Sequence, residues 1–501
     1  MSEAPYLQVL QALGSETLLA VTALVALTID LTVGRHRELP ARRQLVAAVT
    51  LLGLALSAMP LVPLMAGGYQ TLLNGTIVVS PLTVIFKFVL IVLAALTVVI
   101  SAETDLGRHV GEYFALLVFA TMGALLLVGT EELLTLFVAL ELMSISLYVL
   151  TAFHKDSLKS QEAALKYFLF GAIASAFLLF GLSYIYGVTG TTNLREIGAV
   201  LAGRSTSPLL AVGLLCVLVG LGFKVAIVPF HLWAPDTYEG APTPVTAFIA
   251  TASKVASFFV LVKFLLLAFA GAAGSAYWRE FESGWAMVLG ITAAASMVLG
   301  NCAAIVQHNI KRLLAYSSIA HAGYILIGLV AATDPENRMG AAAVLFYVIV
   351  YALTNLGAFG VVAALAARAG GDDLEHFNGM ARRSPYLSLL MLIFLLSLAG
   401  IPPLGGFFGK FYLFAAAVQR DSVGYGLLWL VVLGIVMSAV SLYYYLIVLK
   451  HIYVLPAKDN NPLRASGTLI VALGLVAVGV VALGVWPEPI LALLKLLVSR
   501  L

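Results

Sequence analysis

The sequence predicts an all-α polytopic membrane protein with about fourteen transmembrane helices. Hydrophobic residues make up 61% of the 501 residues and charged residues only 11%, against roughly 25% charged residues in a soluble domain. Apolar stretches of about 20 residues, the length that crosses a bilayer, recur along the whole chain. Two of them are interrupted by prolines close to a lysine. The composition excludes a soluble domain of any size, and a net charge of +3 gives no indication of nucleic-acid binding.

The predicted spans follow one another with short loops between them. They lie at residues 14–34, 44–66, 77–102, 112–129, 131–153, 162–188, 208–230, 242–270, 284–306, 310–332, 338–367, 384–418, 424–450 and 467–490. The C-terminal run LALLKLLVSR is too short to cross a bilayer and predicts an interfacial helix. No basic segment precedes the first apolar run, so we expect no cleaved signal peptide.

The basic residues of the loops predict the orientation. With the N-terminus outside, fifteen of them fall in internal loops and five in external loops, as the positive-inside rule requires. The external five are Arg195, Arg204, Arg279, Arg338 and Arg420. The internal fifteen are Arg35, Arg37, Arg42, Arg43, Arg108, Lys155, Lys159, Lys311, Arg312, Arg368, Arg382, Arg383, Lys450, Lys458 and Arg464. We therefore expect both termini on the non-cytoplasmic side.

Broken helices are predicted in the seventh and twelfth spans. The sequence GFKVAIVPFHLWAPDTYEG begins near the end of the seventh span and continues past it, and GIPPLGGFFGKFYLF lies within the twelfth. Proline removes a backbone donor, and glycines let a helix unwind. Two similar breaks predict two related halves, spans 4–8 and 9–13, and because five is odd the second must be inverted. The expected domains are 1–110 (three N-terminal helices), 111–270 (first repeat), 280–452 (second repeat) and 460–501 (last helix and interfacial tail).

Four charged residues at membrane depth are candidates for ion handling: Glu141, Lys224, Lys254 and Lys410. Charges in the middle of a bilayer are costly, so their presence favours a functional role. A buried carboxyl group close to a lysine can change protonation when the lysine moves, and a buried lysine can pass a proton on. The alternatives are a static ion pair for Glu141 and extension of the lysine side chains to the interface, above all for Lys224.

Two histidines, His231 and His321, are further candidates, because imidazole titrates near neutrality and can relay protons. A structural histidine is a serious alternative for both. Lys263, Lys87 and Lys166 can reach an interface equally well, so we assign them no role. The run Tyr443–Tyr445 is interpreted as part of an interfacial aromatic belt.

No redox centre is expected in this chain. Its two cysteines, Cys216 and Cys302, each lie in an apolar segment and are too few for an iron–sulfur or zinc site. The glycines are scattered through the apolar segments and form no phosphate-binding loop, so no nucleotide, flavin or metal site is predicted.

The chain resembles the antiporter-like membrane subunits of respiratory complex I, which are similar to subunits of Mrp-type sodium/proton antiporters. The matching stretches are LLTLFVALELMSISLYVLTAF, EAALKYFLFGAIASAFLLFG, GFKVAIVPFHLWAPDTYEGAPTPVTAFIATASKVA, NIKRLLAYSSIAHAGY and AGIPPLGGFFGKFYLF. Within this family the chain looks most like the N-type subunits, since M-type subunits and the antiporters have glutamate where this sequence has Lys410.

The resemblance implies a role for each candidate. Glu141 is expected to pair with Lys224, Lys254 to be the central lysine of the eighth span, His321 to lie near the hydrated axis, and Lys410 to lead to the external exit. In this family, quinone reduction in neighbouring subunits is thought to drive proton movement. FMN, iron–sulfur clusters and quinone are accordingly expected in partner subunits, with membrane lipid around the chain and no nucleic acid.

Three functions stay open at this point. The first is a proton-translocating subunit of NADH:quinone oxidoreductase, a translocase without a redox centre of its own. The second is a subunit of an Mrp-type antiporter, and the third is the same subunit type in a ferredoxin:plastoquinone oxidoreductase. Three helices ahead of the repeats resemble bacterial or plastid forms, which implies the bacterial inner membrane or a thylakoid membrane.

Overall fold

The computed structural model describes residues 4–203, 207–333, 339–419, 426–457, 461–463 and 465–500. These residues are almost entirely helical. Thirteen helices are long and apolar enough to cross a membrane, and a shorter apolar helix spans Pro385–Ala399. The predicted class, an all-α polytopic membrane protein, is confirmed. Of the basic loop residues used to predict orientation, Arg204, Arg338, Arg420, Lys458 and Arg464 lie outside the described residues.

The described helices in chain order are α1 (Ala4–Ala12), α2 (Gly14–Leu31), α3 (Leu39–Ala58), α4 (Leu61–Met65), α5 (Pro81–Glu103), α6 (Val110–Val128), α7 (Leu133–Thr151), α8 (Leu158–Thr189), α9 (Leu194–Leu201), α10 (Pro208–Val225), α11 (Trp233–Gly240), α12 (Thr243–Phe248), α13 (Lys254–Ala268), α14 (Trp285–Ile305), α15 (Ile310–Ala331), α16 (Met339–Ala369), α17 (Met380–Arg383), α18 (Pro385–Ala399), α19 (Gly405–Gln419), α20 (Leu428–Tyr453), α21 (Gly467–Val485) and α22 (Glu488–Val498). Short 3₁₀ turns lie at Gly34–His36, Ala270–Ala272 and Leu374–Phe377.

The chain forms two compact units. Unit 1 comprises Met1–Leu221 and Gly240–Phe269, and unit 2 comprises Gly222–Glu239 and Ala270–Leu501. The chain thus leaves unit 1 within α10 and returns to it before α12. The predicted domain boundaries, the inversion of the second repeat and the orientation in the membrane stay predictions. The predicted C-terminal helix is present as α22, and its position at a membrane interface is likewise still a prediction.

The seventh predicted span is broken, as expected, but its helix ends at Val225 rather than at residue 230. Ala226 has a φ of 59°, which takes the chain out of the helical conformation. Two polar groups freed by the break find partners inside unit 2. The backbone N–H of Val228 donates to Ser296 Oγ at 2.9 Å, and Trp233 Nε1 donates to the carbonyl oxygen of Phe223 at 3.0 Å. The interruption is therefore a hydrogen-bonded segment rather than a continued helix.

The twelfth predicted span is divided into α18 and α19, which confirms the second break. Gly400 ends α18 in the left-handed conformation, with a φ of 86°, the usual way in which glycine terminates a helix. A Cβ atom at this position would also lie 3.2 Å from Lys410 Cδ. Glycine is thus favoured here both by the backbone conformation and by the approach of the lysine side chain.

Two small β-hairpins were not predicted. Strand β1 (Gln70–Leu72) pairs antiparallel with β2 (Ile77–Val79), and β3 (Ser275–Tyr277) pairs with β4 (Glu280–Glu282). The third predicted span, 77–102, therefore begins only at Pro81, after a Ser80 cap that accepts a hydrogen bond from the backbone N–H of Thr83. Short apolar runs such as Ile77–Val79 fit a strand or a helix equally well by periodicity.

The eighth predicted span is a single span with a change of geometry inside it. Helix α12 passes into a π-helical turn at Ile249–Ser253, and α13 begins at Lys254. Such turns are rare and lie frequently at functional sites. The predicted central lysine therefore stands at the first residue after the π-turn.

Candidate functional site

A buried cluster in unit 2 surrounds His321, which lies on α15 and is 1% exposed. Its Nδ1 lies 2.5 Å from the hydroxyl of Tyr347, and its Nε2 lies 3.1 Å from the hydroxyl of Tyr445. The Tyr445 hydroxyl also contacts Ser317 Oγ at 2.5 Å. Both nitrogens of the imidazole are thus hydrogen-bonded to groups that can donate or accept a proton.

Lys410 is held by the end of helix α18. Its Nζ donates to the carbonyl oxygens of Leu398 at 2.9 Å and Ala399 at 3.2 Å, and to Ser438 Oγ at 2.9 Å. The last carbonyls of a helix have no partner within that helix and carry partial negative charge, so they bind a cation well. The break in the twelfth span therefore creates the binding site of its own lysine.

Tyr324 connects these two groups. The Nζ of Lys410 lies 4.8 Å from the centre of the Tyr324 ring, and the His321 ring lies 5.5 Å from it, centre to centre. The Tyr324 hydroxyl accepts a hydrogen bond from Asn301 Nδ2 at 3.0 Å, and Asn301 Oδ1 accepts one from the Tyr444 hydroxyl at 3.0 Å. We call His321, Tyr324, Tyr347, Tyr445 and Lys410 the His321 cluster.

The interpretation of Tyr443–Tyr445 as an interfacial aromatic belt is wrong for two of the three residues. Tyr443 is 58% exposed, but Tyr444 and Tyr445 are completely buried and hydrogen-bonded as described above. The sequence pattern did not distinguish them, since consecutive residues on a helix point in different directions.

Lys224 and His231 flank the interruption after α10. Lys224 is buried in the last turn of that helix, with its Nζ 5.1 Å from the centre of the Phe223 ring. Burial lowers the pKa of His231 below its ordinary value of 6.5, although a hydrogen bond with the backbone of Pro229 opposes this shift. The imidazole is therefore neutral at pH 7. Its Nδ1 is buried and has no hydrogen-bond partner among the described residues.

Acidic residues of the same segment bind a basic residue of α15. Arg312 Nη1 lies 2.5 Å from Asp236 Oδ1 and 3.2 Å from Glu239 Oε2. These ion pairs stabilise the interruption within unit 2.

Unit 1 contains the remaining two candidates. Lys254 is 1% exposed at the start of α13. Glu141, on α7, is partly buried, and its Oε1 accepts a hydrogen bond from Ser175 Oγ. The pairing of Glu141 with Lys224 that the family resemblance implies joins residues of different units and stays a prediction. The catalytic roles of all six candidates stay predictions as well.

Two lysines to which the sequence assigned no role have buried carboxylate partners. Lys263 Nζ lies 3.3 Å from Glu131 Oε1, and Lys87 Nζ lies 2.6 Å from Glu16 Oε1, with all four side chains buried. Lys263 and Lys87 are therefore buried in ion pairs within unit 1, and whether they reach a membrane interface stays a prediction. Lys166, in contrast, forms a partly exposed pair with Glu162. Glu16 and Glu131 were missed because each stands at the edge of an apolar run, the normal place for a solvated charge.

In the described part of the chain, no group of three or more His, Cys, Asp or Glu side chains is arranged to hold a metal ion.

Comparisons with known proteins agree with this architecture. The family model described as NADH:quinone oxidoreductase/Mrp antiporter, TM, matches residues 130–441. A relative from Acidobacterium capsulatum, named NADH-quinone oxidoreductase subunit N 2, is 45% identical over 99% of this chain and 100% of its own length. The subunit N of Moorella thermoacetica is also 45% identical, over 83% of this chain and 84% of its own.

Solved structures show the same fold. A chain of respiratory complex I from Thermus thermophilus with bound aureothin has a TM-score of 0.78 and 34% identity, covering 95% of this chain and 98% of that chain. A chain of the Mrp complex from Dietzia has a TM-score of 0.83 at 21% identity, covering 98% of this chain and 97% of that chain. The latter likeness shows the fold alone.

The fold and these matches define the class as a multi-pass membrane protein of antiporter type. The chain belongs to the NADH:quinone oxidoreductase/Mrp antiporter transmembrane family. Within that family, the two relatives described above match most of its length and are N subunits of NADH-quinone oxidoreductase.

Proposed function

We propose that this chain is a proton-translocating N-type membrane subunit of a bacterial NADH:quinone oxidoreductase. The observation that carries the proposal is the His321 cluster, in which a buried lysine and a buried histidine contact the same tyrosine. An imidazole hydrogen-bonded on both nitrogens to hydroxyl groups can accept a proton on one side and release one on the other.

The remaining candidates supply the steps before this cluster. The family resemblance implies that Glu141 and Lys224 act first, His231 adjoins the interruption, and Lys254 lies in the centre of the eighth span. Quinone reduction in partner subunits, which carry the FMN and iron–sulfur clusters, supplies the energy. No redox centre is expected in the chain itself, and the ions that it moves across the bacterial inner membrane are protons.

Two findings support this assignment over an Mrp antiporter, and a third concerns the kind of membrane. The relatives that match most of its length are N subunits, and the identity to the Mrp chain is only 21%. Lysine stands at position 410, where the resemblance places glutamate in the antiporters. The same relatives are bacterial, which favours the inner membrane over a thylakoid membrane.

Affinity purification tests the assembly directly. The chain is tagged, the membrane is dissolved in mild detergent, and the co-purifying proteins are identified by mass spectrometry. We expect flavin and iron–sulfur subunits. Small antiporter subunits without any redox protein would instead identify the chain as part of an Mrp-type complex.

The variant Lys254→Ala tests the mechanism in the assembled complex. We expect proton pumping and coupled quinone reductase activity to fall while the complex still assembles, because a buried lysine that relays protons is lost. Pumping is measured in membrane vesicles by the quenching of a pH-sensitive dye. Lys155→Ala, which removes an exposed loop lysine, is the matched control. Normal pumping by an assembled Lys254→Ala complex would refute the role of this residue.

A further inference from the structure

A row of charged side chains runs inward from the surface of unit 1 and takes no part in the path proposed above. At its outer end Arg195 is 37% exposed, while Glu131 is only 1% exposed. The Tyr69 hydroxyl donates to Glu131 Oε2 at 2.8 Å, and Arg195 Nε donates to the same oxygen at 2.9 Å. One carboxylate oxygen of Glu131 is thus bound by groups at the surface.

The other oxygen of Glu131 faces the interior. Its Oε1 lies 3.3 Å from Lys263 Nζ and receives no hydrogen bond from the residues that the structure describes. Lys263 Nζ donates instead to the carbonyl oxygens of Thr130 at 3.1 Å and Val128 at 3.4 Å. Glu131 therefore stands between an exposed and a buried cation, with one oxygen available to accept a proton.

Backbone hydrogen bonds fix the position of Glu131. Its N–H donates to the carbonyl oxygen of Gly75 at 2.9 Å, and its own carbonyl oxygen accepts from the N–H of Leu194 at 2.9 Å. Burial by itself raises the pKa of Glu131, but Lys263, Tyr69 and Arg195 together outweigh it and lower the pKa below the ordinary value of 4.5. The carboxylate is therefore ionised at neutral pH and readily gives up a proton that it receives.

A second ion pair abuts the same segment. Lys87 Nζ lies 2.6 Å from Glu16 Oε1, and a Cβ atom on Gly129 would lie only 3.2 Å from Lys87 Nζ. Glycine at position 129 thus lets Lys87 approach the backbone beside Glu131. We call Tyr69, Glu131, Arg195 and Lys263, with the pair Lys87–Glu16, the Glu131 cluster.

Helix α13 connects the Glu131 cluster to the central lysine. Lys254 and Lys263 are nine residues apart on this uninterrupted helix, which places them about 13 Å apart along its axis and on opposite faces of the helix. The loops that carry Tyr69, Glu131 and Arg195 follow the second, fourth and sixth predicted spans. By the charge distribution of the loops, all three are expected on the non-cytoplasmic side.

We propose that the Glu131 cluster is a proton exit of unit 1, separate from the path that leads to Lys410. The Lys263 ammonium group gives a proton to Glu131 Oε1, which leaves an amine and a carboxylic acid. The carboxylic acid then releases the proton to water beside Tyr69 and Arg195, and the amine is protonated again from the side of Lys254. This inference rests on the proposed function, because Lys254 must supply the proton.

The variant Lys263→Arg separates a relay from a static ion pair. Arginine keeps the positive charge and can still pair with Glu131, but it is not deprotonated in proteins. In the assembled complex, we expect proton pumping in membrane vesicles to fall as far as it does in Lys254→Ala. Lys166→Arg, in the partly exposed pair with Glu162, is the control and keeps wild-type pumping.

A double variant, Glu131→Gln with Lys263→Met, covers the case in which arginine does not fit. Removing both charges leaves no fully buried charge without a partner, and only Arg195, which is 37% exposed, loses its carboxylate, so we expect the complex to assemble. A relay predicts that this complex still pumps as poorly as Lys254→Ala, whereas a purely structural pair predicts wild-type pumping.

The outcomes distinguish the two proposals. If Lys254→Ala lowers pumping and assembled Lys263→Arg and double-variant complexes pump normally, the exit is refuted and the proposed function stands. If all three pump normally, both fail.

Discussion

Buried lysines are held in two different ways in the Glu131 cluster and the His321 cluster. In the Glu131 cluster, Lys263 and Lys87 each face a carboxylate. In the His321 cluster, the described hydrogen-bond partners of Lys410 are two backbone carbonyl oxygens and a serine hydroxyl. Loss of one member of an ion pair leaves an opposite charge buried, but loss of Lys410 leaves only neutral groups without a partner. The two clusters should therefore respond differently to substitution.

The largest expected effect is that of Glu131→Gln on stability. The substitution leaves Lys263 buried without its carboxylate, which costs about 3–5 kcal/mol for a buried pair. Lys410→Met removes a charge from neutral acceptors and should cost less, about 1–3 kcal/mol. The midpoint of thermal unfolding of the purified protein in detergent measures both. Equal losses in the two variants would contradict the distinction between the clusters.

A smaller loss of stability is expected when a single hydroxyl group of the His321 cluster is removed. Tyr445→Phe removes the contacts of Tyr445 with Ser317 and His321 and should cost about 1–3 kcal/mol, because buried polar groups lose a partner. Tyr443→Phe, two positions earlier on the same helix, is the control, and its exposed side chain should change stability by less than about 0.5 kcal/mol. The midpoint of thermal unfolding measures both effects. If Tyr443→Phe lowers it as much as Tyr445→Phe does, the hydrogen bonds of Tyr445 do not stabilise the His321 cluster.

The smallest expected effect is a difference between wild type and variants in how the thermal stability depends on pH. Because the pKa of Glu131 is lowered in the folded protein, its ionised form contributes stability above pH 4.5, and this contribution is lost as the pH falls through the folded-state pKa. The thermal midpoint of the wild type should therefore decline more below pH 4.5 than that of Glu131→Gln with Lys263→Met. Tyr445→Phe should keep the wild-type slope. Parallel curves for wild type and double variant would show that Glu131 contributes nothing in this range.

Much of the fold could be predicted because its causes are local. Prolines 229, 402 and 403 mark the two breaks, since proline removes a backbone donor wherever it stands. The burial of Lys254 and Lys410 follows from their places in apolar segments. The hairpin at Ile77–Val79 and the early end of α10 were missed because a short apolar run does not reveal its own conformation.

The partners of the buried charges could not be predicted. Lys87 and Glu16 are 71 positions apart in the sequence, and Lys263 meets Glu131 only because α13 packs in unit 1. For the same reason, nothing in the sequence predicted the contact between His321 and Tyr445, which are 124 positions apart. Which groups meet is decided by tertiary packing, so the candidate residues were found but the network around them was not.

The π-turn at Ile249–Ser253 changes the face of the eighth span on which each later side chain lies. A π-turn contains an extra residue, and one residue corresponds to a rotation of about 100° around an α-helix. The faces of α12 and α13 are therefore out of phase, and a helical wheel drawn through residues 243–268 as one helix assigns the wrong direction to every side chain on one side of the turn. Deleting a single residue within the turn would restore one continuous phase and would turn every side chain of α13, Lys254 and Lys263 included, by about 100° around the helix axis relative to α12.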